Sequence, residues 1–198
     1  MISLFCCFPG LIVFCPLFGR SLLYFGNTLR ETLPDTQRRT VERKDYIIMT
    51  KILFVCHGNI CRSPMAEFIM KELVRRKGMS ERFYIDSAGC SNEEQGNDMY
   101  PPAKKKLKEK GIPFEFHPAR KITKRDYQLF DLILVMDDMN QKMIKRSIPY
   151  NPDHKIHRLL DRSVADPWYT DDFETCYEDI LQGCENWLEK VLEPGWNQ

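Results

Sequence analysis

From residue 49 onward the chain alternates short apolar runs with amphipathic stretches. Residues 52–55, 83–87, 131–136 and 155–160 read as strands, and the unbroken run DLILVM is the pattern of a central strand covered on both faces. Between them, helices are predicted over 64–77, closed by Gly78, over 100–111, and from Thr123 as cap to 129. A further helix running to about residue 146 would be capped by the cluster Asp137, Asp138 and Asn140, whose carboxylates could otherwise suggest a metal. Over 172–192, Phe173, Tyr177, Ile180, Leu181, Cys184, Trp187, Leu188 and Leu192 recur every three or four residues and fall on one stripe, with Cys176 also read as packing. Strands alternating with helices predict a parallel sheet with helices on both faces and right-handed crossovers. Ligands on such sheets bind at the C-terminal strand ends.

The first 48 residues break this pattern. Residues 1–25 are apolar, yet no basic residue precedes Arg20 as a secretory leader would require, and Pro9, Gly10, Pro16 and Gly19 interrupt any membrane span. Residues 27–45 are polar and charged without period, as in a linker.

Composition narrows the function. A length of 198 residues suits one domain with a substantial core, and a net charge of +1 gives no electrostatic case for nucleic acid as a partner. The basic run from Lys104 to Lys110 reads as the solvated face of a helix. The eight cysteines contain no CxxC pair and form neither a metal pattern nor a disulfide framework.

The chemistry concentrates where the first strand ends, in CHGNICRSP. Five residues separate Cys56 from Arg62, enough for a loop whose backbone N–H groups turn inward around an oxyanion, with the following helix aiming its N-terminus at the same point. Ser63 suits the N-cap and Pro64 the first helical position, while Gly58 and Asn59 tolerate the backbone geometry of a tight loop. His57 would stand at the pocket mouth. A helix N-terminus and Arg62 both favour the thiolate of Cys56, and Arg62 can grip two phosphoryl oxygens in a fork. In-line attack on phosphorus follows, with Ser63 also able to assist the sulfur as a leaving group. The departing oxygen needs an acid. Asp166, stiffened by Pro167 and flanked by the flat surfaces of Trp168 and Tyr169, is the candidate, and the same carboxylate could activate water in the second step.

The segment from Val55 to Glu67, VCHGNICRSPMAE, together with Asp166-Pro-Trp-Tyr, resembles the low-molecular-weight protein tyrosine phosphatases from about Lys51 to the C-terminus. The resemblance implies a three-layer flavodoxin-like α/β fold with a central four-stranded parallel sheet. It implies phosphotyrosine-containing proteins or peptides as substrates, Cys56 as nucleophile, residues 57–63 (His57, Gly58, Asn59, Ile60, Cys61, Arg62 and Ser63) as phosphate-binding, and Asp166 as general acid. It also implies no metal and no organic cofactor. Cys61 matches a cysteine that forms a reversible disulfide with the nucleophile in the family; its other reading is a small residue packed under the loop. Residues 90–99 would form a cleft wall, and where many relatives carry an aromatic this chain has Glu93 and Glu94. A working Cys56 must be reduced, which points to the cytoplasm. Met49 is a natural start for this family, so residues 1–48 are expected to come from an over-extended start and residues 49–198 to form the catalytic domain; the runner-up is a membrane-associating extension through residues 1–25. Three competing functions are a protein arginine phosphatase, disfavoured by Ile60 where that branch has Thr, an arsenate reductase, disfavoured by a lone Cys90, and a non-catalytic phosphate-binding protein.

Overall fold

The computed structural model describes residues 49–196, and the expectations for residues 1–48 lie outside them. In chain order the elements are β1 (Thr50–Cys56), α1 (Arg62–Arg76), a 3-10 turn (Ser80–Arg82), β2 (Phe83–Gly89), α2 (Pro101–Glu109), α3 (Lys124–Leu129), β3 (Leu132–Val135), α4 (Asp138–Ile144), β4 (Ile156–Arg158), the single turn α5 (Pro167–Thr170) and α6 (Phe173–Leu192). The strands lie in the order β2-β1-β3-β4 and all pair in parallel.

Side-chain alternation divides the core in two. Ile52, Phe54, Leu132 and Leu134 pack with α1, α2 and α6, whereas Leu53, Val55, Ile133 and Val135 pack with residues of α3 and α4. Burial on both faces is what the unbroken apolar strands require, and the result is the three-layer flavodoxin-like arrangement. The chain leaves β1 for β2 on one side and returns to β3 on the other, so strand order reverses at the carboxyl ends of β1 and β3. That reversal opens a crevice where Cys56 ends β1 and Asp137 follows β3.

Helix ends follow local chemistry, with one correction. Helix α1 starts at Arg62 with Cys61 as N-cap and no side-chain cap, so Ser63 lies inside the first turn. Pro64 is accommodated there because the first-turn N–H groups have no helical partner. At the other end the Met79 and Gly78 amides return to the carbonyls of Val74 and Arg75 at 2.9 and 3.0 Å, a Schellman closure that requires the left-handed φ of 67° at Gly78. Helix α3 carries the Thr123–Asp126 capping box, and Asp137 caps α4 by accepting from the Asn140 amide at 2.6 Å. Strand β4 is three half-buried residues, shorter than predicted, and pairs only with Ile133, Leu134 and Val135 of β3.

Helix α6 buries Phe173, Cys176, Tyr177, Ile180, Cys184, Trp187 and Leu188, while Leu181 and Leu192, on the edge of the predicted stripe, are only partly buried against the same core. Asp179 interrupts the stripe, but Arg162 donates to both its oxygens at 2.6 and 2.8 Å and ties α6 to the segment leading to Asp166. On α2, Lys106 and Lys110 pair with Glu174, so the basic run is only partly solvated. No helix among the described residues is long and apolar enough to cross a membrane.

Candidate active site

The loop between β1 and α1 closes around the Cys56 sulfur. The Asn59 amide points at Sγ across 3.3 Å and the Ser63 hydroxyl lies 3.0 Å from it. Asn59 adopts φ 63°, which its side chain pins from both ends. Its Oδ1 accepts from the Arg120 amide at 2.9 Å, and its Nδ2 donates to Ser63 Oγ at 3.0 Å and Ser87 Oγ at 2.9 Å. Behind it, Ser87 donates to Glu67 Oε2 at 2.7 Å and lies 2.9 Å from His117 Nε2. Because Ser87 has one proton to give, and gives it to Glu67, its oxygen accepts from Asn59 and His117. Burial pushes the Glu67 carboxyl up, but hydrogen bonds from His117, Lys71 and Ser87 prevail and hold it below its ordinary value.

Strand β2 supports the loop from beneath. The Cys90 and Ser91 amides donate to the Cys56 and His57 carbonyls at 2.9 and 3.0 Å. A Cβ on Gly89 would sit 2.8 Å from the His57 carbonyl oxygen, so the close approach of the loop depends on that glycine.

Arg62 is buried and doubly paired. Nη1 donates to Asp137 Oδ2 at 2.5 Å and to the Val164 carbonyl at 3.0 Å, while Nη2 donates to Asp166 Oδ2 at 2.5 Å. Burial opposes its charge, yet Cys56, Asp166 and Asp137 outweigh this and hold the guanidinium firmly protonated. Asp166 caps α5 by accepting from the Trp168 amide at 3.2 Å, which places the carboxylate at the start of the turn and the aromatic pair just after it. Tyr100 stacks obliquely on Trp168 at 5.1 Å.

These groups meet in a cavity of about 170 Å³ lined by Cys56, Gly58, Ile60, Cys61, Arg62 and Asp166, with His57, Glu93, Glu94, Trp168 and Tyr169 also on its walls. Asn59 and Ser63 do not line it; they stand behind the sulfur and brace the loop. His57 Nε2 reaches Glu93 Oε2 at 3.0 Å. The Cys61 thiol is pushed far up by burial, then by Cys56 and Asp166, and so stays protonated; Cys90 is likewise pushed up to about 12. No cluster of metal-ligating side chains occurs among the described residues, and the Asp137 group caps a helix, the reading favoured over a metal.

Sequence reasoning missed the second role of Asp137 and the chain Glu67–His117–Ser87 behind Asn59. For Asp137 there was a signal, its place at the end of a central strand beside the strand-order reversal. For Ser87 and His117 there was none, because their partners are far away in sequence.

Residues 51–195 match the family described as "Low molecular weight phosphotyrosine protein phosphatase". The low molecular weight protein-tyrosine-phosphatase YfkJ of Bacillus subtilis is 37% identical over 150 residues, covering 72% of this chain and 96% of that protein. Its crystal structure superposes with a TM-score of 0.70, covering 72% of this chain and 94% of that chain. The human low molecular weight phosphotyrosine protein phosphatase is 37% identical over 156 residues, covering 71% of this chain and 94% of that protein. The crystal structure of a Drosophila arginine phosphatase matches with a TM-score of 0.66 at 32% identity, covering 73% of this chain and 99% of that one.

Proposed function

The chain belongs to the low molecular weight phosphotyrosine protein phosphatases, and we propose that it hydrolyses phosphotyrosine in proteins through a phosphocysteine at Cys56. The observation that carries this reading is the convergence of Cys56 and Arg62, from the two ends of one loop, and Asp166, from 104 residues further on, on one small cavity. A pure phosphate binder needs no acid beside a nucleophile.

The phosphate takes the place of Asp166 on Arg62 Nη2, while Asp137 and the Val164 carbonyl keep the other arm in position. Loop N–H groups of residues 57–62 and the first turn of α1 receive the remaining oxygens. The Cys56 thiolate attacks phosphorus, the S–P bond forms as the P–O bond to tyrosine breaks, and Asp166 protonates the departing phenolic oxygen. Asp166 then takes a proton from water, the water oxygen attacks phosphorus, and the S–P bond breaks. Ser63 turns its proton from the Ala88 carbonyl to the departing sulfur, a role supported by its 3.0 Å approach to Sγ. Trp168 and Tyr169 flank the aromatic leaving group. The catalytic unit is residues 49–198.

Cys61 serves as the resolving thiol when peroxide oxidises Cys56 to a sulfenic acid. The Cys61 sulfur displaces the hydroxyl, water leaves, and a disulfide protects the nucleophile. Peroxide followed by thiol should restore activity in the native protein and leave Cys61→Ser inactivated; recovery of both would remove the role.

The main test is hydrolysis of a phosphotyrosine peptide in reductant, with phosphoserine and phosphoarginine controls and Cys56→Ser as the variant. Turnover of phosphotyrosine alone, abolished in Cys56→Ser, is the expected result. The Drosophila match favours phosphoarginine as the second reading, and preferential release from that control would establish it.

A further inference from the structure

We infer that Glu93 and Glu94 make the mouth of the cavity select phosphotyrosine flanked by basic residues, an inference that rests on the phosphotyrosine reading of the same cavity. A volume of about 170 Å³ is small beside the roughly 300–1,000 Å³ of a site for a drug-sized ligand, so only the phosphate and its ring enter. The neighbouring peptide residues stay at the mouth. There the charges are one-sided. Among the described residues Arg62 is the only Lys or Arg on the cavity wall, and both its arms are already engaged by Asp137 and Asp166.

The two glutamates are not loose surface charges. Asn97 Nδ2 donates to Glu94 Oε2 at 2.8 Å, and the Asn97 amide returns to the Glu94 carbonyl at 2.9 Å. The Glu94 stem lies against the catalytic loop, with Cγ 3.2 Å from where a Cβ would stand on Gly58. Its carboxylate is therefore in position before a substrate arrives. Glu93 lies beside it with its side chain 70% exposed and Oε2 against His57 Nε2, free to meet a cation from solution.

A phosphopeptide brings a doubly negative phosphate past two carboxylates, and acidic neighbours would add to that repulsion. Lysine or arginine beside the phosphotyrosine reverses its sign. An exposed ion pair is worth roughly one-and-a-half- to five-fold in binding, and the effect should fall with salt. Two such pairs, set against repulsion of an acidic peptide, give about a ten-fold contrast.

The test uses the full chain and two phosphotyrosine peptides of matched sequence, one with Arg and Lys around the phosphotyrosine and one with Asp and Glu. For each protein, kcat/KM is divided by its own value for free phosphotyrosine. The native protein should favour the basic peptide by about ten-fold, mainly through KM, and the contrast should shrink to within about two-fold in the Glu93→Gln, Glu94→Gln double variant and near 0.5 M salt. Equal use of the two peptides by the native protein, or a preference that survives both the double variant and salt, would overturn the inference. If free phosphotyrosine also stays intact, the underlying activity fails and takes this inference with it.

Discussion

The base and the mouth of the cavity are built on opposite terms. At the base Asn59, Ser63 and Ser87 are wholly buried, Arg62 is 2% exposed, and each has at least two polar partners. At the mouth Trp168 is 54% exposed and Tyr169 84%, and neither is fixed by a side-chain hydrogen bond in the structure. A buried polar network loses heavily when one member goes, because its partners are left without water. A solvated rim loses little. The base therefore fixes the reaction, and the mouth is where preference among substrates can change without loss of the chemistry.

Arg62→Lys should test the comparison most severely. Lysine offers one point charge where the guanidinium serves Asp137, Val164 and Asp166 at once, and kcat on a phosphotyrosine peptide should fall by about a thousand-fold. A loss below ten-fold in steady-state turnover would show that the base tolerates change as the mouth does. Asp166→Asn should cost roughly a hundred-fold on the same peptide and much less on p-nitrophenyl phosphate, whose leaving group needs no proton. Equal losses on both would remove the acid role.

Glu67→Gln reaches the base from behind, without touching the cavity. The carboxyl sits below its ordinary value of 4.5, so its ionised form stabilises the fold at pH above that value. This stabilisation is lost as pH falls through the lowered folded value. Chemical unfolding at neutral pH should show a loss of about 1–3 kcal/mol in the variant, with a shallower further loss on acidification than in the native protein. An unchanged acid limb would detach Glu67 from the stability of the loop. Trp168→Ala should do least, raising KM for the peptide by about two- to ten-fold with a far smaller change in kcat than either base variant. A larger fall in kcat would place Trp168 with the base.

Much of this contrast was legible in the residue pattern, and the gaps have physical causes. The strand, loop and helix around Cys56 could be read because each depends on near neighbours: an apolar run, a turn-forming Gly-Asn pair, a proline in the first helical turn. Asp166 was legible from Pro167 and the aromatic pair beside it. The start of α1 was misplaced because Ser63 has the chemistry of a cap, while the fold uses its hydroxyl for Cys56, Asn59 and the Ala88 carbonyl instead. Asp137 explained itself too easily as a helix cap, and one of its two oxygens does that. The other pairs with Arg62, 75 residues away in sequence, and no local pattern announces such a partner. Separations of 20 and 30 residues from Ser87 likewise hid Glu67 and His117, which meet there once α1 packs on β2.

The placement of the tryptophans also gives the molecule an optical gauge of its own occupancy. Of three in the chain, Trp187 is buried with its indole N–H on the Leu159 carbonyl, and Trp196 is half-buried against the same core. Only Trp168 is largely open to water at the cavity mouth, within reach of Tyr100. The red edge of the emission spectrum therefore belongs mainly to Trp168, and a ligand covering the mouth should shift or quench that edge while the blue emission from the core stays steady.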